Sequence, residues 1–130
     1  MIVIDASALL ELLLRTPVGN AIEARLAENP SELHVPHLLD VEIAHALRRY
    51  ALARTLPADR CLRALFALSE FPLYRHPHEH LLSRIWELRE NISAYDAVYV
   101  ALSETLFAPL VTHDQRLANS AGHRARIELV

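Results

Sequence analysis

The sequence predicts an α/β fold in three layers, a central parallel sheet covered on both faces by helices. Three observations carry this. Short, apolar, β-branched runs recur along the chain, at 1–5, 33–35 and 110–112. Longer segments with helical spacing of apolar residues separate them. This alternation of strands with helices is the pattern of a parallel sheet covered on both faces.

The elements follow in order. Residues 1–5 read as a buried strand, and residues 7–14 as a helix that starts at once. Thr16 and Pro17 form an N-cap and first-position pair for a second helix running to about Glu28. Asn29, Pro30 and Ser31 break it. Leu33 to Val35 is a short strand candidate, and Pro36 opens a long helix to about Thr55. Leu56 and Pro57 restart the chain into a helix over 58–69. Leu73 and Tyr74 suggest a third strand, and residues 78–90 a further helix. Ser93 caps a helix from Ala94 to Phe107. Pro109 ends it, 110–112 form a strand, a helical turn follows Asp114, and Ile127 to Val130 close the chain as a strand.

The 130 residues amount to one domain of ordinary size, and a hydrophobic content of 52% supplies a core rather than a disordered chain. No apolar run approaches the ~20 residues that span a bilayer, so no membrane association is expected. The start of the chain lacks the pattern of a signal peptide. Cys61 is alone, which excludes an internal disulfide and fits a reducing cytoplasm. A net charge of −3 excludes a broad polycationic surface. All 13 basic residues are arginine, so sites that need a catalytic lysine are excluded.

Four carboxylates stand out: Asp5, Glu42, Asp96 and Asp114. Asp5 closes the first strand and Asp114 follows the strand at 110–112. In open parallel sheets ligands bind beyond the carboxyl ends of the strands, so chain order alone places both on one edge. Leu39, Glu42, Ile43, Ala46 and Tyr50 share one helix face by the three-and-four rule, which turns Glu42 inward and leaves Arg48 and Arg49 off that face. Asp96 lies in the first turn after Ser93, where an acid complements the helix dipole. Asp5 and Asp114 equally suit the capping of the helices that follow them. Glu42 has the weakest structural alternative. If the four converge, their repulsion must be relieved by protons or by a cation. All-oxygen donors favour Mg²⁺ or Mn²⁺ over Zn²⁺. Such an ion activates water and offsets the charge of a phosphodiester under attack. Ser7 and Thr112, hydroxyls beside Asp5 and Asp114, are candidates for orienting a ligand or water, or for capping a turn.

Four blocks then align in order with one family. Ile2 to Leu9 (IVIDASAL), Pro36 to Glu42 (PHLLDVE) running on to Ala46–Arg49 (ALRR), Tyr95 to Leu102 (YDAVYVAL) and Pro109 to Leu117 (PLVTHDQRL) together resemble the four acidic motifs of PIN-domain ribonucleases, specifically the VapC toxins of toxin–antitoxin pairs. The resemblance implies a single PIN domain over 1–130, with four or five parallel strands. It implies Mg²⁺- or Mn²⁺-dependent cleavage of RNA, commonly in loops of tRNA or rRNA. By motif match Asp5, Glu42, Asp96 and Asp114 become the catalytic and metal-binding acids. A homodimer silenced by a VapB-like antitoxin is the implied assembly. His45 and His113 depart from the small residues frequent at those positions. A non-catalytic relative that binds RNA or a partner protein is the alternative, and retention of all four acids favours the enzyme.

Other signals are weaker. His76, His78 and His80 resemble a metal cluster, but Pro77 and the helical pattern after it place them in a solvated loop or helix start. Arg48, Arg49, Arg54, Arg60 and Arg63 read as a solvated helical surface before they read as an RNA contact. Trp86 and Tyr99 fit helical core faces better than base-stacking platforms, and Cys61 fits packing. A phosphorelay receiver and a haloacid-dehalogenase phosphatase both use a lysine. The latter also opens on Asp-x-Asp, where this chain has Ser7. Gly19 and Gly122 cannot supply a phosphate-binding glycine loop.

Overall fold

A computed structural model describes residues 1–130. Five parallel strands form one sheet: β1 (Ile2–Ile4), β2 (Leu33–Pro36), β3 (Leu73–His76), β4 (Leu110–Thr112) and β5 (Ile127–Leu129), in the order β3-β2-β1-β4-β5. The strand order reverses at β1, which pairs with β2 on one side and β4 on the other. That reversal opens a crevice at the carboxyl ends of β1 and β4, the favoured ligand position of such sheets. Val3, Ile4, Val35, Leu110 and Val111 are fully buried, which explains why these strand positions are apolar.

The helices are α1 (Ala6–Leu14), α2 (Pro17–Glu28), α3 (Leu38–Leu52), α4 (Ala58–Glu70), α5 (Leu82–Glu87), α6 (Ala94–Leu106) and α7 (Gln115–Ala118), with a 3₁₀ turn at Glu79–Leu81 before α5. α1 packs on α2, α3 and α4, while α6 lies on β1, β2 and β4 with α5 beside it. Every residue of α6 from Ala97 to Ser103 is buried, so this helix is enclosed rather than amphipathic. Asp96 sits at the rim of that enclosed stretch.

The caps are as expected at two helix starts. The Gly19 N–H donates to the Thr16 hydroxyl at 3.0 Å, with Pro17 in the first turn of α2. The Asp96 N–H donates to the Ser93 hydroxyl at 3.2 Å at the start of α6. Four expectations are corrected. Pro36 ends β2, paired with His76, and α3 starts two residues later without a side-chain cap. β3 is longer than its two apolar residues suggested and carries His76 within the sheet. The helix expected over 78–90 is a 3₁₀ turn followed by only six residues of α-helix, because i→i−3 bonds (Arg89 to Trp86, Asn91 to Leu88) tighten the chain before Ser93. Trp86 is 67% exposed rather than in the core. The short α5 turns Ile85 inward, and Trp86 beside it points to solvent with Arg89 over its ring at 4.6 Å.

α1 and α2 approach closely at Gly19. A Cβ at this position would lie 2.1 Å from the Glu11 carbonyl oxygen, a backbone atom that cannot move away alone. Gly19→Ala is therefore expected to destabilise the fold by about 1–3 kcal/mol, while Asn20→Ala, on the exposed side, changes little. Urea unfolding of both variants checks this; a Gly19→Ala effect as small as that of Asn20→Ala contradicts the packing.

Candidate active site

Asp5 ends β1 and caps α1. Its Oδ1 accepts from the Ala8 N–H at 2.9 Å and the Ser7 hydroxyl at 2.7 Å, and its Oδ2 accepts from the Thr112 hydroxyl. The residue is only 5% exposed. A carboxylate offers about four acceptor sites, so these three donors leave room for one more partner. Burial pushes the Asp5 carboxyl above the usual range; Thr112, Ala8 and Ser7 pull it back, and the charge of Asp96 adds a smaller push.

The two hydroxyls tie neighbouring strand ends together. Fully buried Thr112 also accepts from the Asp114 N–H at 3.0 Å, and Ser7 accepts from the His113 N–H at 3.0 Å. Asp114 caps α7, accepting from the N–H groups of Arg116 at 2.8 Å and Leu117 at 3.3 Å. Capping and convergence are thus not alternatives for Asp5 and Asp114. The cap fixes each carboxylate at the crevice.

Asp96 and Asp114 share one cation. Arg116 Nη2 donates to Asp96 Oδ2 at 3.0 Å and to Asp114 Oδ2 at 3.3 Å. Burial raises the Asp96 carboxyl, Arg116 and Ser93 oppose this, and Asp114 adds to it. Glu42 projects from α3 and accepts from the Tyr99 hydroxyl at 2.8 Å. Burial pushes the Glu42 carboxyl up to about 7, the Tyr99 bond lowers it, and the charges of Asp5 and Asp96 raise it further. Tyr99 is itself pushed well above the ordinary phenol range, by burial first and then by Glu42.

The four acids therefore interact as charges at one edge of the sheet. They are not closed into a ready cage: no three His, Cys, Asp or Glu side chains are gathered as a ligand set. Glu42 is turned to Tyr99, and Asp96 and Asp114 are spanned by Arg116. The donor chemistry nevertheless fits a hard cation, since every candidate ligand is a carboxylate or hydroxyl oxygen. Beside the acids lies a cleft of about 750 Å³ lined by Leu10, Val41, Glu42, His45, Arg49 and His113. Its mixture of arginine, histidine and apolar side chains suits a polyanion carrying flat bases.

Two contributors escaped sequence reasoning. Tyr99 reads as core and is only 1% exposed, yet its hydroxyl holds Glu42. Arg116 sits two residues after Asp114, a spacing that signals a helix start but says nothing of Asp96. The histidine cluster also differs from expectation. His76 lies in β3, and its Nε2 meets Nδ1 of buried His34 at 2.8 Å. His34 stacks on Tyr74 at 5.0 Å. The basic stretch is divided: Arg60 donates to the Leu14 carbonyl at 2.9 Å, Arg63 pairs with Asp59 at 2.8 Å, and Arg49 faces the cleft.

Comparison with known proteins identifies the fold and the family. The PIN domain family matches residues 2–122. The chain belongs to the PIN-domain family. Ribonuclease VapC9 of Mycobacterium tuberculosis is 47% identical over 130 residues, covering all of this chain and 98% of the relative. Among solved structures, the PIN fold here matches PAE2754 from Pyrobaculum aerophilum with a TM-score of 0.69 at 27% identity, over 96% of this chain and 81% of that one. It also matches a toxin–antitoxin complex from Klebsiella pneumoniae with a TM-score of 0.67 at 16% identity, over 92% and 91% of the two chains. No helix of this PIN domain is long and apolar enough to cross a membrane.

The raised Glu42 value has a consequence for stability. Between the ordinary 4.5 and about 7 the folded state holds a proton that the unfolded state has lost. Stability is therefore lost as pH rises through this window, and Asp5 and Asp96 shift in the same direction. Glu42→Gln removes the Glu42 contribution while keeping an oxygen for Tyr99. In EDTA its stability relative to wild type is expected to rise from pH 5 to pH 8. Urea unfolding at the two pH values tests this; a pH-independent difference means that the fold does not raise the Glu42 carboxyl.

Proposed function

We propose that this chain is a Mg²⁺- or Mn²⁺-dependent endoribonuclease of the VapC toxin type, cutting structured RNA such as tRNA or rRNA loops and silenced by a cognate VapB-like antitoxin. The observation that carries it is the set of four carboxylates at the switch-point crevice, with Asp5 tied to Thr112 on β4, Asp96 and Asp114 spanned by one arginine, and Glu42 held by Tyr99. The ribonuclease names of full-length relatives at 47% identity support the activity. The toxin–antitoxin neighbour supports a protein inhibitor. An anionic crevice also attracts arginine, so an antitoxin arginine placed among these acids is the inhibition we expect. Homodimerisation belongs to the same proposal, with Leu62, Leu65 and Phe66 exposed on α4 as apolar surface. So does action in the cytoplasm, where Cys61 stays a free thiol.

In this reading Asp5, Asp96 and Asp114 hold the ion, with Glu42 contributing directly or through water. When bound, the ion supplies an acidified water and offsets the charge that builds on the phosphodiester. The chain does the rest. Thr112 and Ser7 keep the Asp5 carboxylate oriented. The Tyr99 hydroxyl, donating to Glu42 at 2.8 Å, keeps that carboxyl in place beside the crevice. Arg49 and His45 line the cleft in which the RNA backbone lies.

Three outcomes follow. Asp96→Asn is expected to lower cleavage of total cellular RNA by at least about a hundredfold while leaving the protein in EDTA as stable as wild type or more so, since burial disfavours the Asp96 charge. A variant that unfolds marks Asp96 as structural. Discrete bands that need Mg²⁺ or Mn²⁺ and vanish with EDTA support the reading; a folded, inactive wild type favours a non-catalytic binding module. Attack by water leaves a 5′-phosphate and a 3′-hydroxyl. End-group analysis that finds a 2′,3′-cyclic phosphate instead would show attack by the RNA's own 2′-hydroxyl and sink the mechanism.

A further inference from the structure

The one positive charge acting on the Asp96 carboxyl is Arg116. A single nitrogen of its guanidinium, Nη2, is within hydrogen-bond range of Oδ2 of both Asp96 and Asp114. These two oxygens come from α6 and from the cap of α7, elements that the chain otherwise joins only through β4. The rest of the arginine is unanchored: its side chain is 75% exposed and makes no other side-chain bond. Its backbone N–H caps onto Asp114 Oδ1, a contact that any residue except proline retains. Arg116 thus has a fixed base, a free arm and a head between two acids.

We infer that Arg116 is the resident counter-ion of the acidic site: it spans Asp96 and Asp114 and must leave before a divalent cation can take the same two carboxylates, so it sets the affinity of the site for metal. A divalent ion taking these Oδ2 atoms would sit directly against the guanidinium, and repulsion between the two like charges sets them in competition for the site. The exposed arm gives the displaced head an open route to solvent. The contrary role is also well defined. If Arg116 instead braces the two acids in a metal-ready spacing, its removal loosens the site and weakens binding.

The inference rests on the metal reading above, and one experiment separates the two. Mn²⁺ is titrated calorimetrically into the full-length wild type and into Arg116→Gln, Arg116→Lys and Asp96→Asn. Arg116→Gln is expected to bind Mn²⁺ about two- to tenfold more tightly, as loss of a competing exposed ion pair allows, with Arg116→Lys in between. Asp96→Asn binds more weakly than wild type. Melting gives the second readout: added Mn²⁺ raises the midpoint of Arg116→Gln more than that of wild type, whatever their midpoints in EDTA. Unchanged or weaker binding by Arg116→Gln, with Asp96→Asn still impaired, overturns the counter-ion role and leaves the metal reading standing. Wild type that binds no Mn²⁺, or that binds it as well with Asn at 96, overturns both.

Discussion

The buried Asp5 carboxylate is the constraint on which the rest of the site depends. An acid at the end of the central strand cannot be enclosed without donors. The chain supplies three, from Ala8 in α1, from Ser7, and from Thr112 on β4. These bonds link β1, α1 and β4, the elements that meet where the strand order reverses. Thr112 then passes the restraint on to Asp114 through the N–H at 3.0 Å. One hydrogen-bonded unit therefore sets the crevice and places two of its four acids.

The other two acids arrive by packing. α6 is enclosed from Ala97 onward, which fixes its first turn and hence Asp96 over the same edge. α3 buries Leu39, Ile43 and Leu47 and leaves Glu42 at the border of that stripe, where Tyr99 reaches it. The result is an excess of negative charge in a partly dry place. Proton affinity rises at Asp5, Glu42 and Asp96, and Arg116 relieves the pair on the α7 side. A site balanced in this way is sensitive to pH, to cations and to any arginine that can reach it.

Much of this was legible in the chain. The β-branched runs and the Thr16–Pro17 and Ser93 starts gave the succession of elements, and the three-and-four spacing around Glu42 turned it inward. Position after a strand marked Asp5 and Asp114. What was not legible depends on tertiary approach. Asp5 and Thr112 are 107 residues apart, so nothing local announces their bond. The Tyr99 hydroxyl meets Glu42 across 57 residues, and its ring reads as ordinary core. Trp86 misled because helical spacing placed it on a core face, while the helix carrying it is too short to offer two inward faces. His76 misled because Pro77 suggests a loop, yet the strand continues up to it.

Whether these carboxylates form a divalent cation site is decided by anomalous diffraction from crystals grown with Mn²⁺. One or two anomalous peaks are expected, bounded by Asp5, Asp96 and Asp114, with carboxylate oxygens at roughly 2.1 Å and the Arg116 guanidinium turned away. An acidic crevice without a peak, or manganese bound only elsewhere such as at His34 and His76, would contradict it.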